Sequence, residues 1–176
     1  MSSSTTHHPL VQLARATIEA YVQEGRTLKP TEAPAPIEGE PAGVFVTIHT
    51  AGAGDLRGCI GTIEPTEPSL AQETIHNAIA AATRDPRFPP VKPDELDNLV
   101  IDVSVLYPPE PIDSIKQLDP KRYGVIVQRD RQRGLLLPDI PGIADAETQV
   151  AFARQKAWLG PDEPVKLFRF RVERYT

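Results

Sequence analysis

The run Leu56-Arg57-Gly58-Cys59-Ile60-Gly61-Thr62 concentrates the residues best suited to chemistry. It holds the single cysteine of the chain, with an arginine two positions before it and glycines at 58 and 61. On a strand, side chains alternate between faces, so Arg57, Cys59 and Gly61 share one face and Leu56, Gly58, Ile60 and Thr62 the other. Arg57 and Cys59 would then lie roughly 7 Å apart at their Cα atoms. A guanidinium that close favours thiolate over thiol, the form that acts as nucleophile or metal ligand. The glycines remove bulk from both faces, which lets another backbone or a ligand approach. Cys59 also has a plainer reading as a small packed residue, because free cysteine is among the most buried types.

A second concentration of charge is Arg84-Asp85-Pro86-Arg87-Phe88-Pro89-Pro90. Its prolines limit the backbone, so Arg84, Asp85 and Arg87 should be held in place. Either Asp85 caps a turn and pairs with an arginine, or the two arginines receive an anionic ligand. Arg57 carries the same two readings: an ion pair with Glu64 or Asp85, or a bidentate grip on an anion. We expect Arg57, Gly58, Cys59, Gly61, Glu64, Arg84, Asp85 and Arg87 to belong to one site. A nucleophilic cysteine needs a base. His49 could face Cys59 from the partner strand if the register allows, and His76 sits beside the apolar stripe of a helix. For both histidines a packing role is the plainer reading. No metal site is expected: there is no second cysteine, no Cys-x-x-Cys and no His-Glu-x-x-His. Asp102, Asp113, Asp119 and Asp139 are too scattered to form a carboxylate cluster by sequence alone.

The elements that must position these groups follow from periodicity. Residues 9–24 place Leu10, Leu13, Ala14, Ile18, Tyr21 and Val22 at helical spacing, with Pro9 in the first turn and Gly25 just past the end. Residues 29–43 carry four prolines and read as an extended connection. Residues 44–50 are β-branched, Ala51 to Asp55 supply a glycine-rich turn, and residues 56–63 return as the second strand of a hairpin. Residues 68–83 form a second helix, with Ser69 and Gln72 at capping-box spacing and alanines that allow close packing on a sheet. Residues 99–107 are a strand with Ile101, Val103 and Val105 on one face and Asp102 and Ser104 on the other. A second hairpin is expected from residues 123–128 and 135–137 around a polar loop, residues 129–134, with three arginines. Residues 145–158 read as a third helix, and residues 165–172 as one last strand with a wet face. Strands that pair as hairpins with helices between them predict an α+β fold with a mostly antiparallel sheet and flanking helices.

The chain has 176 residues, a length that suits one domain. Hydrophobic residues are 40% and charged residues 24%, so a sizeable core is possible. Nineteen prolines favour turns and extended connections over long helices. The net charge of −5 argues against a nucleic-acid surface over the whole protein. A lone cysteine excludes an internal disulfide and fits a reducing, cytoplasmic setting. No apolar run approaches the about 20 residues of a membrane helix. Residues 1–8 lack a signal-peptide core and read as a disordered tail in which His7-His8 is a poor metal site.

LRGCIGT, followed by an Ala-rich helix ending in RDPRFPPV, resembles the AMMECR-one domain family, whose bacterial members are also called AmmeMemoRadiSam system protein A. ELDNLVIDVSVL (residues 95–106), PEPI (109–112), YGVIV (123–127), GLLLPD (134–139) and residues 165–175 match in order. The resemblance covers nearly the whole chain. It implies one domain made of a large lobe and a small β lobe, about residues 33–67, that carries the LRGCIG hairpin, with a ligand cleft between them. The family has no established biochemical activity, and no cofactor is implied. The reading is a protein that binds a ligand or protein partner through the motif, with Memo-like and radical-SAM proteins as the implied partners. The alternative is an enzyme that uses Cys59 as nucleophile on a small anionic substrate held by Arg57, Arg84 and Arg87. A nucleic-acid module, resting only on the arginine loops, is the weakest reading.

Overall fold

A computed structural model describes residues 6–176. Residues 1–5, most of the expected tail, lie outside the described residues. The chain divides into two compact units: one runs through Leu106 and takes back Glu173–Thr176, the other is Tyr107–Val172.

The first unit opens with helix α1, Pro9–Glu24. His8 caps it: its ring nitrogen accepts the Leu10 N–H at 3.2 Å, and the ring stacks on Tyr175 at 3.6 Å. Gly25 ends the helix in the left-handed conformation at φ 65°, the position that glycine tolerates best. Strand β1, Gly43–Thr50, and strand β2, Leu56–Gly61, form the expected hairpin. Helix α2, Leu70–Thr83, starts where Ser69 accepts the Gln72 N–H at 3.2 Å. Strand β3, Leu99–Leu106, pairs antiparallel with β1, and β8, Val172–Tyr175, completes the sheet in the order β2-β1-β3-β8. Val44, Val46 and Ile48 of β1, with Leu99, Ile101 and Val103 of β3, pack against Leu10, Ala14 and Ile18 of α1 and Ala78, Ala81 and Ala82 of α2. The period-2 and period-3.6 patterns therefore meet in one core, and both helices cover the same side of the sheet.

The second unit is a sheet in the order β4-β7-β5-β6, made of Glu110–Ile112, Lys166–Phe170, Gly124–Arg129 and Gln132–Leu136. Helix α3, Ala146–Lys156, is capped by Asp145, whose carboxylate accepts the Thr148 N–H at 2.7 Å. Val125, Val127, Leu136, Val150 and Ala153 centre its core. Trp158, just past the helix, is 89% exposed.

Two expectations are corrected. The residues 129–134 are not a loop: β5 runs to Arg129 and β6 begins at Gln132, leaving Asp130 and Arg131 as a tight turn with Asp130 at φ 53°. That left-handed conformation is one an aspartate tolerates, and the sequence Asp-Arg hides it. The last strand is two. It breaks at Arg171, with β7 in the second unit's sheet and β8 in the first. The alternation of residues 165–172 carries no mark of a change of sheet, because the side-chain period is the same in both. The short strand β4 was also unexpected, since Pro109 precedes it and Pro111 lies within it; it pairs only with β7 and so sits at an edge, where proline is tolerated.

Candidate functional site

Gly58 lies on the helix side of β2. A Cβ built there would overlap the carbonyl oxygen of Ala81 in α2. The helix backbone thus rests directly on the strand, which is what the glycine and the alanines of α2 permit. Cys59 consequently faces the opposite side. Its register partner on β1 is Thr47, whose own partner on β3 is Asp102. The Thr47 hydroxyl lies 3.4 Å from the Cys59 sulfur, and the cysteine is half-buried. Gly61 sits opposite Phe45, whose ring covers the space a side chain would take.

His49 does not face Cys59. The pairing slips between Ile48 and His49, so His49 falls opposite Leu56. A bulge of this kind moves every later residue by one place. Its Nδ1 is buried without a hydrogen-bond partner among the described residues. His76 instead meets Glu67, with Nδ1 to Oε1 at 3.5 Å. Neither histidine reaches Cys59 with a hydrogen bond among the described residues.

The two motif segments meet at the backbone of Cys59. Strand β2 is an edge strand, so every second peptide would offer its N–H and C=O to solvent. At Cys59 the turn after α2 takes the place of a neighbouring strand. Asp85 Oδ2 accepts the Cys59 N–H at 3.0 Å, and Arg87 Nη2 donates to the Cys59 carbonyl at 3.4 Å. Asp85 is 4% exposed and accepts three further donors, all from Arg87: the backbone N–H at 3.0 Å, Nε at 3.0 Å and Nη2 at 2.7 Å. These donors, the Arg87 side chain first, outweigh the cost of burial and hold the Asp85 carboxyl well below the usual carboxylate range. Arg87 is correspondingly raised by Asp85.

Arg57 is anchored separately. Nε and Nη2 bind the two oxygens of Glu95 at 2.9 and 3.1 Å, a fork-to-fork pair with Arg57 only 12% exposed. Glu95 also accepts the Lys92 N–H at 2.7 Å in the turn before β3, and Arg57 foremost lowers its carboxyl from the ordinary value. Sequence reasoning missed Glu95 as the partner. It lies 38 positions from Arg57, and its signal was the turn Lys92-Pro93-Asp94-Glu95, which reads only as a local cap.

The structure therefore joins Cys59, Asp85 and Arg87 in one assembly, with Arg57, Gly58 and Gly61 on the same strand. It does not gather every expected residue there. Arg84 lines a separate cavity on α2, and Glu64 follows the strand as an exposed residue. Another residue not anticipated is Glu73, fully buried, which accepts from the Thr62 hydroxyl at 2.8 Å and from the Thr66 N–H at 2.8 Å. It ties the end of the Cys59 motif to α2. Among the described residues no helix is long and apolar enough to cross a membrane, and no three His, Cys, Asp or Glu side chains are grouped to hold a metal.

The chain as a whole is similar to known proteins. A protein of Thermotoga maritima is 53% identical over 170 residues, covering 96% of this chain and 97% of that one. Protein CA_C1420 of Clostridium acetobutylicum is 40% identical over 169 residues, which are 95% of this chain but 36% of that protein. The crystal structure of an uncharacterised protein, PH0010 from Pyrococcus horikoshii, superposes with a TM-score of 0.84 at 42% identity, covering 94% of this chain and 88% of that one. The AMMECR1 family model matches residues 11–175, from within the first helix to the last strand, and the chain belongs to that family.

Proposed function

We propose that this protein is a binding module, and that the surface carrying Arg57, Cys59, Gly61 and the turn of Asp85 and Arg87 engages a ligand or protein partner without covalent chemistry at Cys59. The observation that carries this reading is where the charges go. Asp85 spends its carboxylate on four N–H donors, and Arg57 spends its fork on Glu95. The Cys59 sulfur contacts a threonine hydroxyl, a group too weak to serve as its base. Polar groups so engaged make a rigid recognition surface rather than an activated nucleophile. Recurrence of the domain as about a third of a longer chain also suits a module that works beside other domains. A cytoplasmic setting and the Memo-like and radical-SAM partners implied by the family resemblance complete the proposal.

Thiol labelling and binding test it together. Native Cys59 should react slowly with a disulfide reagent at neutral pH and fast after denaturation. In calorimetric titration against purified Memo-like and radical-SAM proteins, Cys59→Ser should bind like the parent. Thr47→Arg, which fills the surface beside the sulfur, should bind at least about tenfold more weakly, the equivalent of roughly 1.4 kcal/mol. Rapid native labelling at neutral pH that Arg57→Gln slows would overturn this reading in favour of the nucleophile. So would normal binding by Thr47→Arg.

A further inference from the structure

On the side of α2 turned away from the Gly58–Ala81 contact lies a cavity of about 360 Å³ between the helix and the segment that follows α1. Leu28, Ile75 and Ile79 form its apolar floor, each a buried core residue. Lys29, Arg84 and His76 stand on its wall with one carboxylate, Glu67. The volume falls within the range of roughly 300–1,000 Å³ typical of small-molecule sites.

The charges on this wall are not balanced. Glu67 is taken by His76, at 3.5 Å. The Lys29 ammonium makes no hydrogen bond among the described residues; Glu32, which accepts the Lys29 backbone N–H at 2.7 Å, is already bound by the Arg26 guanidinium at 2.7 Å. The Arg84 guanidinium has neither hydrogen bond nor ion pair among the described residues. The contrast with Arg87, three positions on in the same stiff turn and fully paired with Asp85, is direct. Arg84 caps the C-terminal end of α2, where a cation is favoured, and this accounts for a positive charge at that place. It does not account for an apolar floor beside that charge. The backbone of Arg84 is also fixed, by its N–H bond to Ala80 at 2.7 Å and by the pinned Asp85 that follows, so its side chain alone, and not the turn that carries it, must be ordered on binding.

We propose that this cavity is a binding site for a small organic anion, with an apolar body on Leu28, Ile75 and Ile79 and a phosphate, sulfonate or carboxylate against Arg84 and Lys29. Arginine's planar fork suits an oxyanion, and the low floor rewards an attached hydrocarbon or ring. The site is distinct from the Cys59 surface and stands without the binding-module reading.

The test is a two-dimensional amide NMR titration of the full chain with phenyl phosphate, with inorganic phosphate and phenol as the two halves of the probe. Saturable shifts are expected at the amides of Lys29, Ile75, Ile79 and Arg84 with phenyl phosphate, and each half alone should bind at least about tenfold more weakly. Arg84→Gln should weaken phenyl phosphate about tenfold, the loss of a charge-assisted hydrogen bond, at an unchanged melting temperature. Lys29→Gln should weaken it in the same direction, and decides the matter should Arg84→Gln disturb the fold. Absence of saturable shifts, equal binding of inorganic phosphate and phenyl phosphate, or unchanged affinity in folded Arg84→Gln would each overturn the proposal.

Discussion

Gly58→Val is expected to lower the melting temperature by on the order of 10 °C, corresponding to about 3 kcal/mol at roughly 2–4 °C per kcal/mol for a chain of this size. The clash is with backbone: the new side chain would enter the carbonyl of Ala81, and a helix carbonyl cannot rotate aside as a side chain can. Either α2 lifts off the sheet, exposing Ala78, Ala81 and Ala82, or β2 moves and strains its pairing with β1. The second unit repeats the device, since a Cβ at Gly134 of β6 would overlap the carbonyl of Ala153 in α3. Gly134→Val should therefore cost a similar amount. Gly61→Ala should cost less than Gly58→Ala, because its obstacle is the ring of Phe45, a side chain with torsions to turn. Gly160→Ala, with Glu163 Oε2 at an ordinary 3.5 Å, is the control and should be near neutral. Calorimetric melting of these variants measures the order. A Gly58→Val protein that melts with the parent would show that the helix does not rest on the strand.

Asp85→Asn is the second large effect, about 2–3 kcal/mol at neutral pH. The native carboxylate faces two donors at each oxygen: Arg87 N–H and Nε on Oδ1, and Cys59 N–H and Arg87 Nη2 on Oδ2. Asparagine must turn its own NH2 group toward one of those pairs, donor against donor. Part of the parent's advantage is lost in acid. The carboxyl is depressed in the folded protein, so the unfolded chain binds the proton first as pH falls below the ordinary aspartate value of about 3.9. Stability from this group is fully present above that value and is lost as pH falls toward the folded one. The parent and Asp85→Asn should thus converge as pH drops from 5 through about 3. Glu95, lowered by Arg57, contributes in the same direction, so the variant keeps a weaker acid limb. Urea unfolding at several pH values, followed by amide signals of β2 and α2, reads this. A stability gap as wide at about pH 3 as at neutrality would show that Asp85 is not the anchor of the Cys59 peptide.

Both effects arise where chain segments meet, and this marks the boundary of what the sequence determined. Helix α1 was legible to its ends because its cues are local: an apolar face at 3.6 spacing, Pro9 at the start and Gly25 at the close. The β1–β2 hairpin, Ser69 and Asp145 as helix starts, and the two faces of β3 were legible for the same reason. So was the α+β class, which follows from strands that return as hairpins between helices. The need for a small residue at 58 could be anticipated, but not the carbonyl that it makes room for. What the tertiary structure alone decided was partnership. Arg57 had carboxylates nearer in sequence than Glu95, and the choice depends on which turn the sheet brings alongside β2. Thr47 rather than His49 faces Cys59 because one slip in the ladder shifts the register, and periodicity does not record a slip. Residues 165–172 read as one alternating strand, yet the chain there passes from β7 into β8, which belong to different sheets, because alternation fixes only which side chains share a face and not which backbone will pair with them. Arg84 and Arg87 look equivalent in the sequence of one stiff turn. One is neutralised at the edge of β2 and the other stands unpaired over an apolar cavity, because a turn points successive side chains in different directions and only the packed neighbours give those directions a consequence.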